Sequence, residues 1–541
     1  MTVAMMVLFL GWTASAQDTP VLLYKYPNTI NNTTGIVSNS FLAQGPDGNF
    51  YDTDWDNGTY NQGGVYTMSL SGDYTLLYSF CAEGGSCLVT GSNPGGGLTL
   101  GTDGNFYGTT SGGGAGDMGT VFKITPAGKL TTLFSFPNTG ADGSNPSFGV
   151  FQASNGDFYG VTPSGGSTNG TFFRISSTGA FKLLASFHSG VNGANPNLPT
   201  LGRDGNFYGS THNGGPNSAC CGVIYKATAA GKITVLYTFP GGEGSSVGQL
   251  VEGSDGNFWG VTNGVAFVSG GELYKISSSG DLTVVHTFSG TGDGCCPVSG
   301  LIAGSDGYLY GVTNAGGTAN VGAIYRVNPS NGDYAVLYSF CATSPCDAFG
   351  PGPVLAQDTN GTFYGNTGGN SDGGSYFFSF DTGLGPFIRT LTPSAAVGKS
   401  VVVFGQTFTG VTEVEFNGAE ATFSVVSDNQ LKAVVPAAAT TGPVSVVTPG
   451  GTLTALSKFY VLPTITSINP TSGAVGATVT ITGKALTGAT KVTIGGKAAS
   501  FTANSGTQIT ATVPTGAVSG KKITVTTPGG TASSAPSFTV T

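Results

Sequence analysis

Few residues in this chain are arranged as chemistry would need them. The most suggestive stretch is Asp52-Thr53-Asp54-Trp55-Asp56-Asn57-Gly58. Its three alternating acids match the opening of a D-x-[DN]-x-[DN]-G loop, whose carboxylate oxygens suit a hard cation such as calcium. Asn57 stands where that loop carries Gly, and Gly63 stands at its twelfth position in place of Glu. Asp52, Asp54 and Asp56 are therefore candidate calcium ligands, and calcium is the one cofactor the sequence suggests. A solvated acidic loop is the plainer reading. Trp55 offers a flat aromatic face to a sugar, so Asp52, Asp54, Trp55 and Asp56 also form the candidate binding set.

Other strings fail on context. Gly244-Ser245-Ser246-Val247-Gly248 spells a nucleophile elbow, but no helix is expected after it. Gly114-Ala115-Gly116-Asp117-Met118-Gly119 spells a dinucleotide fingerprint without the strand and helix that would make it one. Of the three His, His286 occupies a strand position held elsewhere by Phe134 and Tyr237, which predicts aromatic packing; His188 and His212 fall in or beside loops. Paired carboxylates could hydrolyse a glycoside, yet Asp47, Asp103, Asp204, Asp255 and Asp306 all sit in Asp-Gly turns. Glu252 and Arg203 lie off that pattern near inner strands, with nothing in the sequence to pair them. No catalytic residue is assigned.

The elements that must position these residues come from a repeat. The hexapeptide Asp103-Gly104-Asn105-Phe106-Tyr107-Gly108 recurs with centres at Phe50, Phe106, Phe158, Phe207, Phe258, Leu309 and Phe363. In one unit, Gly97–Leu100, Phe106–Thr110, Thr120–Ile124 and Leu130–Phe136 read as strands, with Asp103-Gly104-Asn105 as a tight turn. Phe106 and Tyr107 point to opposite faces of one strand and are both apolar, which requires cover on both sides. Gly108 is expected to admit a neighbouring backbone. Four antiparallel strands repeated around a circuit make a β-propeller. The seventh unit stops after three strands, and Val21–Pro27 matches the missing fourth, so the N-terminal strand is expected to close the ring. An open solenoid would leave two unprotected edges. The short first and third turns fall at one end of each blade. The long second turns and links, with all the Cys, fall at the other, which is the expected binding face.

The chain has 541 residues, of which 91 are Gly and 9% are charged, with a net charge of −9. Lys and Arg are scattered singly, which argues against nucleic acid and anionic membranes. Residues 1–16 read as a secretory signal: an apolar Val3–Leu10 run and Ala14-Ser15-Ala16 before Gln17, though without a basic leading segment. No apolar run reaches the ~20 residues a membrane span needs, so a soluble, monomeric, exported chain is expected. Export places the Cys in an oxidising compartment. They fall in local pairs, Cys81/Cys87, Cys220/Cys221, Cys295/Cys296 and Cys341/Cys346. The first and last pairs would each close a small loop, worth about 2 kcal/mol. The two Cys-Cys dipeptides read either as vicinal disulfides or as crosslinks to one another. No Cys-x2-Cys spacing supports zinc.

The Asp-Gly-Asn-Phe-Tyr-Gly set, with Gly119–Ile124 after it, resembles the GloVer tandem repeat of exported, choice-of-anchor bacterial proteins over residues 35–380. The resemblance implies a secreted or cell-surface location and no defined activity. From residue 386 the composition turns to Val, Thr and Ala. Two copies of a new unit, 386–462 and 463–541, align at Thr448-Pro449-Gly450-Gly451 and Thr527-Pro528-Gly529-Gly530. Asn469–Gly476 and Ile481-Thr482-Gly483 resemble the opening of an IPT/TIG immunoglobulin-like domain, which implies a spacer or adhesive role; the first copy departs with Ala395-Ala396 where Ser-Gly is usual. The expected architecture is all-β: a signal peptide (1–16), a seven-bladed propeller (17–385) and two IPT/TIG sandwiches. The expected function is non-catalytic binding or scaffolding, with an extracellular protein or glycan as partner. The competing class is a secreted polysaccharide-acting enzyme with its site in the propeller mouth.

Overall fold

Asp-Gly-Asn followed by two aromatics makes a turn and a buried strand, and one acid serves both. The computed structural model describes residues 19–26, 42–82, 87–166, 169–216, 221–240, 246–264, 270–297, 300–342, 350–367 and 375–541. In the second repeat, Asp103 Oδ1 accepts from the Asn105 backbone N–H (3.1 Å), and Oδ2 accepts from Asn105 Nδ2 (2.8 Å) and the Tyr107 hydroxyl (2.7 Å). Gly104 takes a φ of 84°, in the left-handed region that side chains disfavour. The turn acid thus also fixes a ring four residues on. The same bond recurs from Tyr51 to Asp47, Tyr208 to Asp204 and Tyr310 to Asp306, and Trp259 Nε1 makes it to Asp255.

Each fixed ring is half of a joint. Tyr107 stacks on Phe158 of the next repeat with centroids 3.8 Å apart, Tyr208 on Phe258 at 3.8 Å and Tyr51 on Phe106 at 4.1 Å. Both faces of every such strand are therefore buried, as its run of apolar residues requires.

All strands within the repeat sheets pair antiparallel, and no helix occurs among the described residues. The second sheet runs from an inner strand in two pieces, Ser92–Pro94 and Thr99–Leu100, through Phe106–Gly112 and Thr120–Ile124 to Leu130–Ser135. Among the described residues the repeat region forms seven such sheets. Pro351–Gln357, Phe363–Thr367 and Tyr376–Phe380 make three strands of the last, and Val21–Lys25 pairs with Tyr376–Phe380 as the fourth. Apolar clusters join each sheet to its successor, and one cluster joins Phe50 and Tyr66 of the first sheet to Tyr364 and Phe377 of the last. The circuit is closed, which is the arrangement of a β-propeller.

Gly108 has a different reason from the one expected. A Cβ there would lie 2.7 Å from Phe122 Cζ and 2.9 Å from Leu98 Cδ2. The close approach is by an aromatic side chain of the adjacent strand, not by a backbone. Gly160 and Gly311 stand in the same relation to Phe173 and Tyr325.

The C-terminal third holds two sandwiches with separate cores, one around Val401, Val403, Phe416 and Leu431, the other around Val479, Ile481, Ile494 and Ile509. The first is not a free appendage. Its strand Ser400–Phe404 buries Val401 and Val403 inward and turns Val402 and Phe404 onto Tyr51, Leu98 and Leu100 of the propeller. The matching strand of the second sandwich, Thr478–Lys484, alternates buried and partly exposed positions in the ordinary way.

Candidate functional site

The strand Phe50–Asp54 carries the acidic stretch, and it extends further than the sequence suggested. Asp52 and Asp54 are strand residues, paired with Tyr66 and Gly64, and both are fully buried. The chain leaves the sheet only at Trp55. Asp52 accepts from the Thr53 backbone N–H (2.7 Å) and the Tyr66 hydroxyl (3.1 Å). Asp54 Oδ2 accepts from Asn57 Nδ2, and its Oδ1 has no hydrogen-bond partner. Burial pushes the Asp54 carboxyl up to about 6, against the Asn57 amide, which draws it back. Asp56 is only half-buried. Among the described residues no three His, Cys, Asp or Glu side chains converge as metal ligands. The acids of the loop pattern are thus split between a sheet interface and the surface.

Trp55 stands apart from these acids, 40% exposed on the loop side. Its backbone carbonyl accepts from Asn93 Nδ2 (3.2 Å), and its ring lies so close over Gly95 that a Cβ there would be 2.7 Å from Cζ3. The indole has a firm base and an open face. Tyr60, 42% exposed, lies on the same loop.

The inner strands carry a second polar set. Gln152 Oε1 accepts from Thr102 N–H at 2.8 Å, Glu252 Oε2 from Arg203 N–H at 3.1 Å, and Gln357 Oε1 from Ser305 N–H at 2.7 Å, each in the preceding sheet. Arg203 Nε lies 3.5 Å from Glu252 Oε1, so the two off-pattern charges do meet. Burial raises the Glu252 carboxyl and Arg203 partly offsets that. A cleft of about 830 Å³ separates this pair from Lys458 and Tyr460 of the first sandwich and Thr527 of the second.

The family is decided by the repeat. The Gloeobacter/Verrucomicrobia repeat matches residues 36–264, 167–378 and 218–422, and the IPT/TIG domain matches residues 386–461 and 463–540. The chain belongs to the Gloeobacter/Verrucomicrobia repeat family. No curated protein matches it. Solved structures similar to it include PorZ, a bacterial surface component of the type-IX secretion system of Porphyromonas gingivalis (12% identity, TM-score 0.42, 80% of this chain and 59% of that one). A fungal alcohol oxidase of the AA5 family in complex with copper gives 12% identity and a TM-score of 0.41 over 82% of this chain and 100% of that one. A surface glycan-binding protein from Prevotella bryantii gives 18% identity and a TM-score of 0.21 over 28% and 38%. At these scores the likenesses carry no argument about what this repeat protein binds.

Other candidates resolve into structure. His286 stacks on Tyr334 with centroids 3.9 Å apart, as Phe134 does on Phe181, and its Nε2 lies 3.1 Å from Asp293 Oδ2. This acid–His pair sits at an outer strand, Leu282–Thr287, away from the mouth. His188 and His212 are exposed. Gly244 and Ser245 lie outside the described residues, and Ser246 opens a strand rather than a helix. Asp117 Oδ1 accepts from Gly113 N–H (3.1 Å), so the Gly114–Gly119 string is a turn held by its own acid. Cys81 bonds Cys87, and Cys295 bonds Cys296 as a vicinal disulfide. Cys221 and Cys341 are disulfide-bonded, while Cys220 and Cys346 lie outside the described residues.

The docked sandwich is the functional feature that motif reading missed. Gln406 Nε2 donates to Asp358 Oδ1 (3.0 Å) and Thr359 Oγ1 (2.9 Å), Arg389 Nη2 donates to Gln44 Oε1 (3.0 Å), and Ser427 Oγ donates to the Pro46 carbonyl. These contacts fall at the Asp-Gly turn end of the first and last sheets. One signal was available: Val401-Val402-Val403-Phe404 is apolar throughout, where the second copy has Val479-Thr480-Ile481-Thr482. An unbroken apolar strand in a small sandwich calls for a partner on its outer face.

Proposed function

We propose that this chain is an exported, non-catalytic binding protein whose propeller presents its loop face to a carbohydrate or protein ligand, with the sandwiches as stalk. The observation that carries this reading is the seat of the first sandwich. It occupies the turn end of the propeller and leaves the opposite end, where the described second turns such as 111–119 and the Trp55 loop lie, uncovered by the sandwich. Variable loops on a rigid scaffold are where binding residues concentrate. Trp55 is the favoured contact: a supported, open indole flanked by Asp56 and Asn57 pairs an apolar ring with hydrogen-bonding groups, the combination that fixes a sugar.

The test is a glycan-array and pull-down screen with the full chain, repeated with Trp55→Ala. Binding of a glycan by the parent and its loss in the variant, with unchanged melting, is the expected outcome. A parent that binds neither glycan nor extracellular protein refutes the reading. Binding that survives Trp55→Ala moves the site elsewhere. Processing of a polysaccharide substrate by the parent would establish the enzyme class instead.

A further inference from the structure

The first sandwich does not meet the propeller along its whole width. Between them lies a second cleft, of about 450 Å³, within the range of small-molecule sites. One wall comes from an arc of neighbouring inner strands, with Leu42 beside the first sheet, Ile302 in the sixth and Leu355 in the last. The other wall belongs to the first sandwich: Phe387 and Arg389 at its entry, and Leu456 and Lys458 on a loop. The cleft adjoins the one beside Arg203 and Glu252, and Lys458 borders both.

Its charge is unlike that of the molecule. The chain carries −9 overall, yet the described lining holds two cations, Arg389 and Lys458, and no acid. Lys458 is exposed and makes no hydrogen bond or ion pair among the described residues. Arg389 is held in place: it pairs with Phe404 in the sheet, its Cζ lies 5.6 Å from the Phe404 ring centroid, and its Nη2 donates to Gln44 Oε1 at 3.0 Å. That is one protein hydrogen bond for a fork of several donors, and no described carboxylate forms an ion pair with it. Burial lowers the guanidinium from its ordinary value, and the charge of Asp358 offsets part of that. The Asp358 oxygens themselves are taken by Gln44 and Gln406.

Both cations are peculiar to the first sandwich. Aligning Leu391-Thr392-Pro393-Ser394 with Ile468-Asn469-Pro470-Thr471 puts Thr466 at the position of Arg389, and aligning Phe459 with Phe538 puts Ser537 at that of Lys458. The apolar wall changes with them: Phe387 and Leu456 correspond to Thr464 and Ala535. Docking on the propeller accounts for Val402, Phe404 and Gln406. It does not call for Lys458, which bonds nothing, or for Leu456, which lines the cleft with 55% of its surface exposed.

We propose that this cleft binds a small organic anion, its apolar body lying on Leu42, Ile302, Leu355 and Leu456 and its single carboxylate between Arg389 and Lys458. A guanidinium fixed by its neighbours suits a carboxylate, because both oxygens can take parallel N–H bonds. The propeller wall favours an apolar body over a polar one. Its polar groups, Gln357 and Ser305, already bond each other: Oε1 accepts from the Ser305 N–H at 2.7 Å, and Nε2 donates to Ser305 Oγ at 2.9 Å. The site lies at the end of the propeller opposite Trp55 and stands independently of the loop-face reading.

Calorimetric titration of the full chain with 2-naphthoate and with 4-phenylbutyrate tests this, with the amide of each acid as the uncharged control. At least one acid is expected to bind at a single site, about tenfold or more tighter than its amide. Lys458→Gln should weaken acid binding about tenfold while leaving amide binding and melting unchanged. Trp55→Ala should change neither. Lys458 is the residue to vary because Arg389→Gln would also remove a docking contact. Absence of saturable binding by both acids overturns the proposal. So does equal binding of acid and amide, or full affinity in Lys458→Gln. Loss of acid binding in Trp55→Ala also overturns it, because the anion would then sit on the loop face.

Discussion

Gly160→Ala is a one-carbon test of how the blades are packed. Gly160 lies opposite Phe173 in the sheet, and its φ is not in the left-handed region, so backbone strain does not enter. The added methyl would sit 2.5 Å from Phe173 Cζ, 3.0 Å from its Cε1 and 3.0 Å from Val150 Cγ1. The ring has nowhere to go: Phe173 is fully buried, with Phe136 at 5.6 Å and Phe181 at 5.4 Å. Over-packing of this kind costs about 1–3 kcal/mol, and relief of glycine's chain entropy returns about 0.5–1 kcal/mol. The net expectation is a loss of about 1–2 kcal/mol. Phe173→Leu removes the atoms that clash, so the double variant should be more stable than the sum of the singles predicts, by about 0.5–2 kcal/mol. Tryptophan emission during denaturant unfolding of a chain beginning at Gln17 isolates the propeller, because Trp55 and Trp259 lie there and the sandwiches have none. A Gly160→Ala chain as stable as its parent, or strict additivity with Phe173→Leu, would refute the argument that glycine is there to admit the ring.

Two further outcomes follow from the same contacts. Gln406→Ala should weaken the docking of the first sandwich on the propeller by about 1–3 kcal/mol, since Asp358 stays buried with one donor fewer, while the Val402 and Phe404 packing and the Arg389–Gln44 bond remain; faster proteolytic cleavage across 381–388, with each domain's own melting unchanged, is the readout. On the acid side the turn carboxylates act opposite to Asp54. Burial raises Asp103 and Asp204, but hydrogen bonds from Asn105 and Tyr107, and from Lys226, Asn206 and Tyr208, outweigh it and hold both below the usual range. Their contribution is present above ~4 and lost as pH falls below it. Propeller melting should therefore drop on acidification below that value, and Asp204→Asn should flatten the drop.

The repeat, its turns and its closing strand were legible without coordinates because each rests on local chemistry. Asp-Gly-Asn specifies a turn wherever it occurs, and two adjacent apolar rings demand cover on both sides of a strand. Val21–Lys25 could be placed because it copies a strand whose role was already clear. The candidate site was less legible. Asp52-Thr53-Asp54 looks like a loop by composition and is a strand because Gly64–Met68 pairs with it. Arg203 and Glu252 are in contact in space and a whole repeat apart in sequence. The difference between Asp52, which has partners, and Asp54 Oδ1, which has none, depends on where Tyr66 and Asn57 arrive. Local preference decides which elements form. Which faces meet is decided by ring closure and by the docked sandwich, and burial, which governs the charge on Asp54 and the openness of Trp55, exists only once those faces have met.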